Sequence, residues 1–579
     1  MCHRVSNLVS KCRRAPLVWT GVVAFGLFMP AAGFAQTPPT EDGAQSPDDR
    51  VEAYLLDRGM LELLARQLEA RIQQETVTRD RLAIAERLAG VYSRLLSGAT
   101  SVEEQRRWES AGERLLARVP EANTIELRLS LARASYTRVE RVAEQHALRM
   151  IDEEQRTSAS VRLADLRGRF VSIGQDADRR VRELEREEER NPRVESEWLR
   201  ETLEQARRQR SMAFYLAGWS SYYMAELSTD RAEAASAALR HFGWLLGAER
   251  NQEATLDGFS IPALQYEHIA RAALAVAGCY SMVGRDAVSE QWLDAIEGFD
   301  GLPEPVREQI FVRRITHAAQ SSSWARAAEI VAKKRDSAIP IAGEFTSDPG
   351  KPLPVNHARL LAVLTFETIA REKEHSDPRV ERLRDLALGD LVVQDQLGHV
   401  LDLAQRYGTD TFGDSTFVSL QVRGLGLYQS ARDRQAAAGE SSDEPTRDAR
   451  ASELYLRAAE LFEHALKARD VERFEVASAN TNMLLGLSMF YAGEATLGGE
   501  ALMLLAADAL ERAAARFASR ERAADALWMA IRSLDQKIAD EPELRESQIG
   551  VRRDGMVERF LRDYPEDEKA AALILRLAE

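Results

Sequence analysis

The chain is predicted to be all-α, an α-solenoid of stacked helical hairpins, and three observations carry that reading. Strong helix formers (Ala, Leu, Arg and Glu) dominate its 579 residues, while alternating Val-Ile-Thr runs fit for strands are nearly absent. Apolar positions recur at three and four along most of the length, and a hydrophobic content of 45% with modest Gly and Pro excludes gross disorder. One short element also recurs, as Ala89-Gly90-Val91-Tyr92-Ser93, Ala217-Gly218-Trp219-Ser220-Ser221 and Ala277-Gly278-Cys279-Tyr280-Ser281, with a looser copy at Leu485-Gly486-Leu487-Ser488-Met489-Phe490. Each copy offers side chains small enough for a second helix to come close, the packing element that a stack of hairpins repeats. At this length two to four units or one extended array is expected rather than a single core.

Residues 1–35 read as a signal peptide. Arg4, Lys11, Arg13 and Arg14 form a basic segment, Leu17 to Met29 is an apolar run broken by Pro30, and Gly33-Phe34-Ala35 places small residues where a signal peptidase reads. Cleavage is expected before Gln36, which makes the protein periplasmic or secreted. The run is short for a span of about 20 residues, so no stable membrane span is expected after cleavage; the alternative is retention as an anchor. Cys2 and Cys12 precede the run and are not placed to carry a lipid on a mature N-terminus. Losing four basic residues and no acidic ones moves the net charge from −15 to −19, which argues against a nucleic-acid partner. Only Cys279 then remains, so no intramolecular disulfide is possible.

Residues 36–50 are Pro- and Asp-rich with no apolar face, and are expected to be a flexible linker. Residues 51–160 carry the periodic leucines of N-terminal hairpins, with Ser101 and Glu104 as a capping box and Pro120 as a boundary. Residues 161–210 keep only a narrow stripe (Leu163, Leu166, Phe170, Ile173, Ala177, Val181, Leu184) between charge runs such as 182–190, and Asn191-Pro192 interrupts it. That pattern predicts one long charged helical hairpin, with coiled-coil character and solvated outer faces. A central helical region spans 211–434, with loops at 247–261 and 336–355. A polar, acidic linker is expected at 435–448 and a C-terminal helical region at 449–579. Within the last, 516–527 matches 562–573 at a spacing of 46, with Ala524/Ala570 and Leu527/Leu573 identical.

These residues resemble the tetratricopeptide repeat, which places an apolar residue, a small one and an aromatic on its first helix, and Gly at the turn. Val276, Ala277, Tyr280 and Gly284 fall at those places; Leu485, Gly486, Met489 and Gly493 do likewise, with Phe490 beside the aromatic position. Leu88, Ala89 and Tyr92 match three positions, and Trp324 and Ala327 resemble the second helix. Phe560-Leu-Arg-Asp-Tyr-Pro-Glu-Asp also looks like a pattern of periplasmic repeat proteins of envelope assembly. The repeats are degenerate, since the first three copies lie 128 and 60 residues apart, neither a multiple of 34. The resemblance implies protein–protein or peptide interaction on a helical scaffold.

Chemistry-bearing motifs are sparse. Cys279 sits on an apolar helix face with no basic neighbour in sequence, which reads as packing rather than a nucleophile. The histidines stand singly, Glu267-His268 and Asn356-His357 included, so neither a metal nor a catalytic site is expected and no cofactor is implied. Gly424-Leu-Gly426 lacks the third glycine and the strand of a phosphate cradle. Trp219, Tyr222, Tyr223, Phe242 and Trp244 form the densest aromatic cluster, read as core rather than ligand platform. The expectation is a non-enzymatic, exported scaffold for a protein or peptide partner. The alternatives are a secreted α/α-toroid enzyme acting on polysaccharide through paired carboxylates, and a structural envelope spacer built on the charged hairpin.

Overall fold

The computed structural model describes residues 47–190, 197–249, 251–336, 350–372, 377–493 and 499–578. The signal peptide, linker residues 36–46, the Asn191-Pro192 break and residues 337–349 of the 336–355 loop lie outside them. Among the described residues every regular element is helical. The chain divides into two compact units at His317/Ala318.

The unit ending at His317 opens with α1 (Pro47–Asp57), α2 (Leu61–Gln74), α3 (Thr78–Gly98) and α4 (Val102–Arg118). Then come α5 (Ile125–Ala147), α6 (Glu153–Arg190), α7 (Glu197–Leu227) and α8 (Ala232–Leu245). It closes with α9 (Glu267–Met282), α10 (Asp286–Glu297) and α11 (Glu304–Gln320). From α2 to α10 consecutive helices pack on one another, most extensively α6 on α7. In addition α3 packs on α5, α5 on α7 and α7 on α9, whereas the even helices have no comparable contacts among themselves. The odd helices thus form one layer and the even helices another.

The second unit runs from α12 (Trp324–Arg335) through α13 (Val355–Arg371), α14 (Pro378–Val393), α15 (Leu397–Tyr407) and α16 (Phe417–Ala437). It continues with α17 (Ala449–Leu466), α18 (Glu475–Ala492), α19 (Gly499–Arg516), α20 (Arg520–Asp540), α21 (Gln548–Asp563) and α22 (Glu568–Ala578). Neighbours again pack on neighbours, and a continuous core joins Tyr428 on α16 to Leu573 on α22. The 46-residue repeat occupies equivalent places: Ala524 and Ala570, and Leu527 and Leu573, are all buried. Ala526 is buried but Ala572 is exposed.

Local signals in the sequence act where they stand. Ser101 accepts from the Glu104 backbone while Glu104 reaches back to the Ser101 backbone, so the capping box starts α4. Thr124, Asp448 and Ser519 cap α5, α17 and α20 in the simpler way. Helix α1 starts at Pro47, inside the stretch expected to be linker; proline suits a first turn, where its missing N–H costs nothing. The long hairpin is α6 and α7, and its distal part has a small core of its own from Val181, Leu184, Leu199, Leu203 and Ala206. Outside that core lie pairs such as Arg207–Glu185 at 2.8 Å, exposed and each worth no more than about 1 kcal/mol. The polar stretch 435–448 is stitched in place: the Thr446 backbone donates to the Tyr491 carbonyl at 2.8 Å, Gln435 to Ser441 at 2.7 Å, and Arg532 to Asp443 at 2.7 Å.

The recurring Ala-Gly element does different things at different copies. A Cβ on Gly218 would meet the Phe242 ring of α8 at 2.6 Å, one on Gly486 would meet Leu510 of α19 at 2.5 Å, and one on Gly278 would meet Tyr222 at 3.1 Å. At Gly90 nothing lies within 4 Å. Gly284 closes α9 at φ +75°, the left-handed conformation that glycine favours. Gly493, expected to do the same, stays at φ −55° and instead makes room for Met503, which a Cβ would meet at 2.1 Å.

Substituting Gly218→Ala is therefore expected to lower stability by about 1–3 kcal/mol through overpacking against Phe242. Gly90→Ala is expected to be neutral or stabilising by up to about 1 kcal/mol, since it only improves helix propensity. Urea midpoints of the two variants decide it; equal losses at both would mean the element is not a helix-approach device at Gly218.

Candidate functional site

The odd-helix layer of the first unit carries a polar cluster built from four successive odd helices. Helix α5 supplies Tyr136, Glu140 and Glu144, which share one face at the four-residue spacing. Helix α7 supplies Tyr215, Trp219, Tyr222, Tyr223 and Glu226, α9 supplies Arg271, and α11 supplies Arg313. The Ala-Gly element makes this possible. Gly218 lets Phe242 slide under Trp219, and Gly278 leaves room for the Tyr222 ring between α7 and α9. Ser220 and Ser221, both buried, return their hydroxyls to the Leu216 and Ala217 carbonyls at 2.8 and 2.9 Å, so they burden the core with no open donor.

The rings pack edge to face, Trp219 against Tyr222 at 5.2 Å and Tyr222 against Tyr223 at 5.4 Å, and their hydroxyls point into the polar cluster. Tyr136 donates to Glu140 at 3.2 Å, Tyr223 to Glu144 at 3.4 Å, and Tyr222 to Glu226 at 2.9 Å while accepting from Arg313. The Arg313 guanidinium also lies 4.7 Å over the Tyr222 ring, and that of Arg271 5.5 Å over Trp219. Arg271 is 4% exposed, and a carboxylate oxygen of Glu140 lies 3.7 Å from its guanidinium. Two buried atoms here, Nε of Arg271 and of Arg313, have no hydrogen-bond partner, and both can donate; the Trp219 indole N–H faces the Tyr215 hydroxyl.

Burial dominates the ionisation of the cluster. It pushes the Glu140 carboxyl up to about 7, reinforced by the Glu144 charge and opposed by Arg271. It raises Glu144 as well, although solvent touches that side chain. Tyr136, Tyr222 and Tyr223 are held well above the usual phenol range, chiefly by burial, and Tyr215 rises to about 12. Burial would lower Arg271, but the facing Tyr215, Glu140, Tyr223 and Tyr136 push it up and prevail, so it stays charged.

Other residues noted in the sequence are spread apart. Cys279 is fully buried next to the cluster, and burial pushes its thiol up, away from thiolate chemistry. His268 is half-buried on α9, and burial lowers His357 on α13 to about 4. Gly424 lies inside α16, where a Cβ would meet the Phe462 ring at 2.7 Å, so it is a packing glycine. Of the aromatic cluster, Trp219 and Phe242 are core, and Tyr222 and Tyr223 join core to cluster. Trp244 belongs elsewhere, stacked under Arg210 at 4.3 Å and beside Phe214. Glu140, Glu144, Arg271 and Arg313 escaped the sequence reading. The signal was Arg271, a lone charge in the otherwise apolar run Ala270–Val276.

A cavity of about 570 Å³ opens between α3, α4, α5 and α6, floored by Leu96, Leu116, Leu131 and Ile173. None of its lining residues holds a buried unpartnered polar atom, which sets it apart from the Arg271 cluster. Among the described residues no group of His, Cys, Asp and Glu gathers to hold a metal ion. No described helix is long and apolar enough to cross a membrane.

No family model matches the chain. No curated protein matches it either. Among solved structures it is similar to a circular tandem repeat protein with novel repeat topology and enhanced subunit contact surfaces, at 13% identity over 87% of this chain and 99% of that one. The TM-score is 0.19, so the fold assignment rests on the helix packing described above.

The Glu140 carboxyl makes stability depend on pH. From the unperturbed value of 4.5 up to about 7 the folded chain holds a proton that the unfolded chain has released, so stability falls as pH rises through this window. Replacing Glu140 by Gln removes that loss. The variant is expected to show a flatter dependence of melting temperature on pH between those limits, and at pH 8 to gain on the order of 1 kcal/mol over the parent. A pH series of thermal melts that superimposed for the two proteins would contradict this.

Proposed function

We propose that the chain is an exported helical-repeat scaffold of tetratricopeptide type, without catalysis of its own, that binds a protein or peptide partner in the periplasm or outside the cell. The partner lies on the odd-helix face of the first unit. The observation that carries this reading is the pair of buried guanidinium donors on that face, Nε of Arg271 and of Arg313, that have no hydrogen-bond partner. Leaving such groups unmet costs about 1–3 kcal/mol each, a cost that a partner supplying acceptors would remove. Tyr, Trp and Arg are also the residues in which binding energy concentrates at protein interfaces. The likeness of Val276, Ala277, Tyr280 and Gly284 to the repeat's first helix supports the family, and the order of basic, apolar and small residues in 1–35 supports export. Against hydrolysis of polysaccharide stands the placement of the paired carboxylates. Glu140 and Glu144 project from one face of one helix, whereas a glycosidase flanks the scissile bond with its pair.

The test is capture of partners from envelope extracts with residues 36–579 as bait, run in parallel with two variants that keep the helical circular dichroism. Arg313→Gln, on the odd-helix face, is expected to reduce recovery of a specific partner about tenfold, in line with loss of an interface arginine. Trp198→Ala, at a side chain 62% exposed on the charged hairpin, is expected to leave recovery unchanged. The reverse pattern would move the docking surface to the hairpin and favour the spacer reading.

A further inference from the structure

We propose that the cavity between α3, α4, α5 and α6 is a binding site for a small cationic amphiphile, an aliphatic chain carrying an ammonium group; this goes beyond the scaffold reading and does not depend on it. The cavity is made by missing side chains. Helix α6 lines it with Ala164, Gly168 and Ser172 at the four-residue spacing, while Leu163, Leu166 and Phe170 of the same helix go to the core. A Cβ on Gly168 would meet nothing within 4 Å, so no close approach of another helix requires glycine there. Glycine is disfavoured in a helix interior, and protein interiors leave few voids larger than a water molecule. Gly112 of α4, by contrast, serves packing, since its Cβ would meet Leu131 at 3.1 Å. The space is thus held open beside a point where α4 and α5 touch. At about 570 Å³ it has the size of a small-molecule site rather than of a packing defect.

The lining sets the two ends of the ligand. Leu96, Leu116, Leu131 and Ile173 form an apolar floor that suits a hydrocarbon chain. The mouth is acidic: Glu109, Glu113 and Asp165 line the cavity against Arg128 and Arg169. Both guanidinium groups are already engaged. Arg169 lies 2.8 Å from Glu113 and 2.9 Å from Asp165, and Arg128 lies 2.6 Å from Asp176. One guanidinium therefore serves two carboxylates, whose side chains are 57% and 48% exposed at the solvent end. Glu109, 11% exposed, is paired with Arg162. The charge left over is negative and sits at the mouth, so an ammonium with its N–H donors is complementary there and an anionic head is not. An ammonium held by Glu113 and Asp165 brings its chain past Gly168 onto the leucine floor.

The experiment titrates residues 36–579 with butyl-, hexyl- and octylammonium, octanol and octanoate in a calorimeter. From butyl to octyl the affinity is expected to rise about fourfold per methylene, as burial of each CH₂ requires. Octylammonium is expected to bind about fivefold or more tighter than octanol, the worth of an ion pair at an exposed mouth, and octanoate weakest of the three. Gly168→Phe puts a ring into the open space; with its helical circular dichroism kept, it is expected to weaken octylammonium binding about tenfold or more. Asp165→Asn, at an exposed side chain, is expected to leave octanol binding unchanged and to reduce the preference for ammonium about twofold or more. An affinity that stopped rising at butyl, the length of a lysine side chain, would overturn the free amphiphile in favour of a lysine of a protein partner. Equal binding of octanol and octylammonium would overturn the ammonium assignment. Undiminished binding by folded Gly168→Phe, or no binding of any probe at millimolar concentration, would overturn the site itself, and the scaffold reading would stand in each case.

Discussion

Close approach of helix α7 to its neighbours is the constraint on which the first unit depends. Gly218 removes the side chain that would collide with Phe242, and Gly278 removes the one that would press on Tyr222. With those two positions small, α8 and α9 can both lie against α7, and Trp219, Tyr222 and Tyr223 are clamped between them. The rings then have one orientation each. Their apolar bodies complete the core and their polar tips emerge together on the odd-helix side, which is how a packing motif comes to organise a polar cluster.

That surface is electrostatically unusual for a stack of Ala-rich helices. Arg271 and Arg313 reach from later hairpins onto carboxylates and phenols of earlier ones, 131 residues apart in the case of Arg271 and Glu140. Such buried charges seldom add stability beyond what apolar residues of the same volume would give. Arg271 stands among fully buried alanines such as Ala270, Ala272 and Ala273. In the second unit Asp390 Oδ2 accepts from both Arg335 and the Leu353 backbone, while its Oδ1 is buried with no hydrogen-bond partner.

What the sequence reveals is what local chemistry decides. The Ser101/Glu104 capping box, the leucine stripe of α6 and the aligned Ala524 and Ala570 are legible because their partners lie a few residues away or repeat at a fixed spacing. The copies of the Ala-Gly element look alike in sequence, yet Gly90 faces open space and Gly218 an aromatic ring; the difference is made by α8, which periodicity cannot place. Tyr222 and Tyr223 were legible as core by their helical spacing, but not as hydroxyls serving a cluster. Glu140 and Glu144 are one acidic pair among many on Arg/Glu-rich helices, and only the arrival of Arg271 from α9 distinguishes them. The stretch 435–448 has a linker's composition, while hydrogen bonds to the Tyr491 carbonyl and from Arg532, far along the chain, hold it down.

Hydrogen–deuterium exchange of residues 36–579, with and without a saturating captured partner or binding peptide, tests the central claim most directly. The account predicts added protection on the odd helices, in 133–147, 215–227, 268–280 and 310–317, with little change along the distal hairpin or beyond residue 318. Protection confined to 176–190 and 197–207, or to the second unit, would contradict it and place the working surface elsewhere.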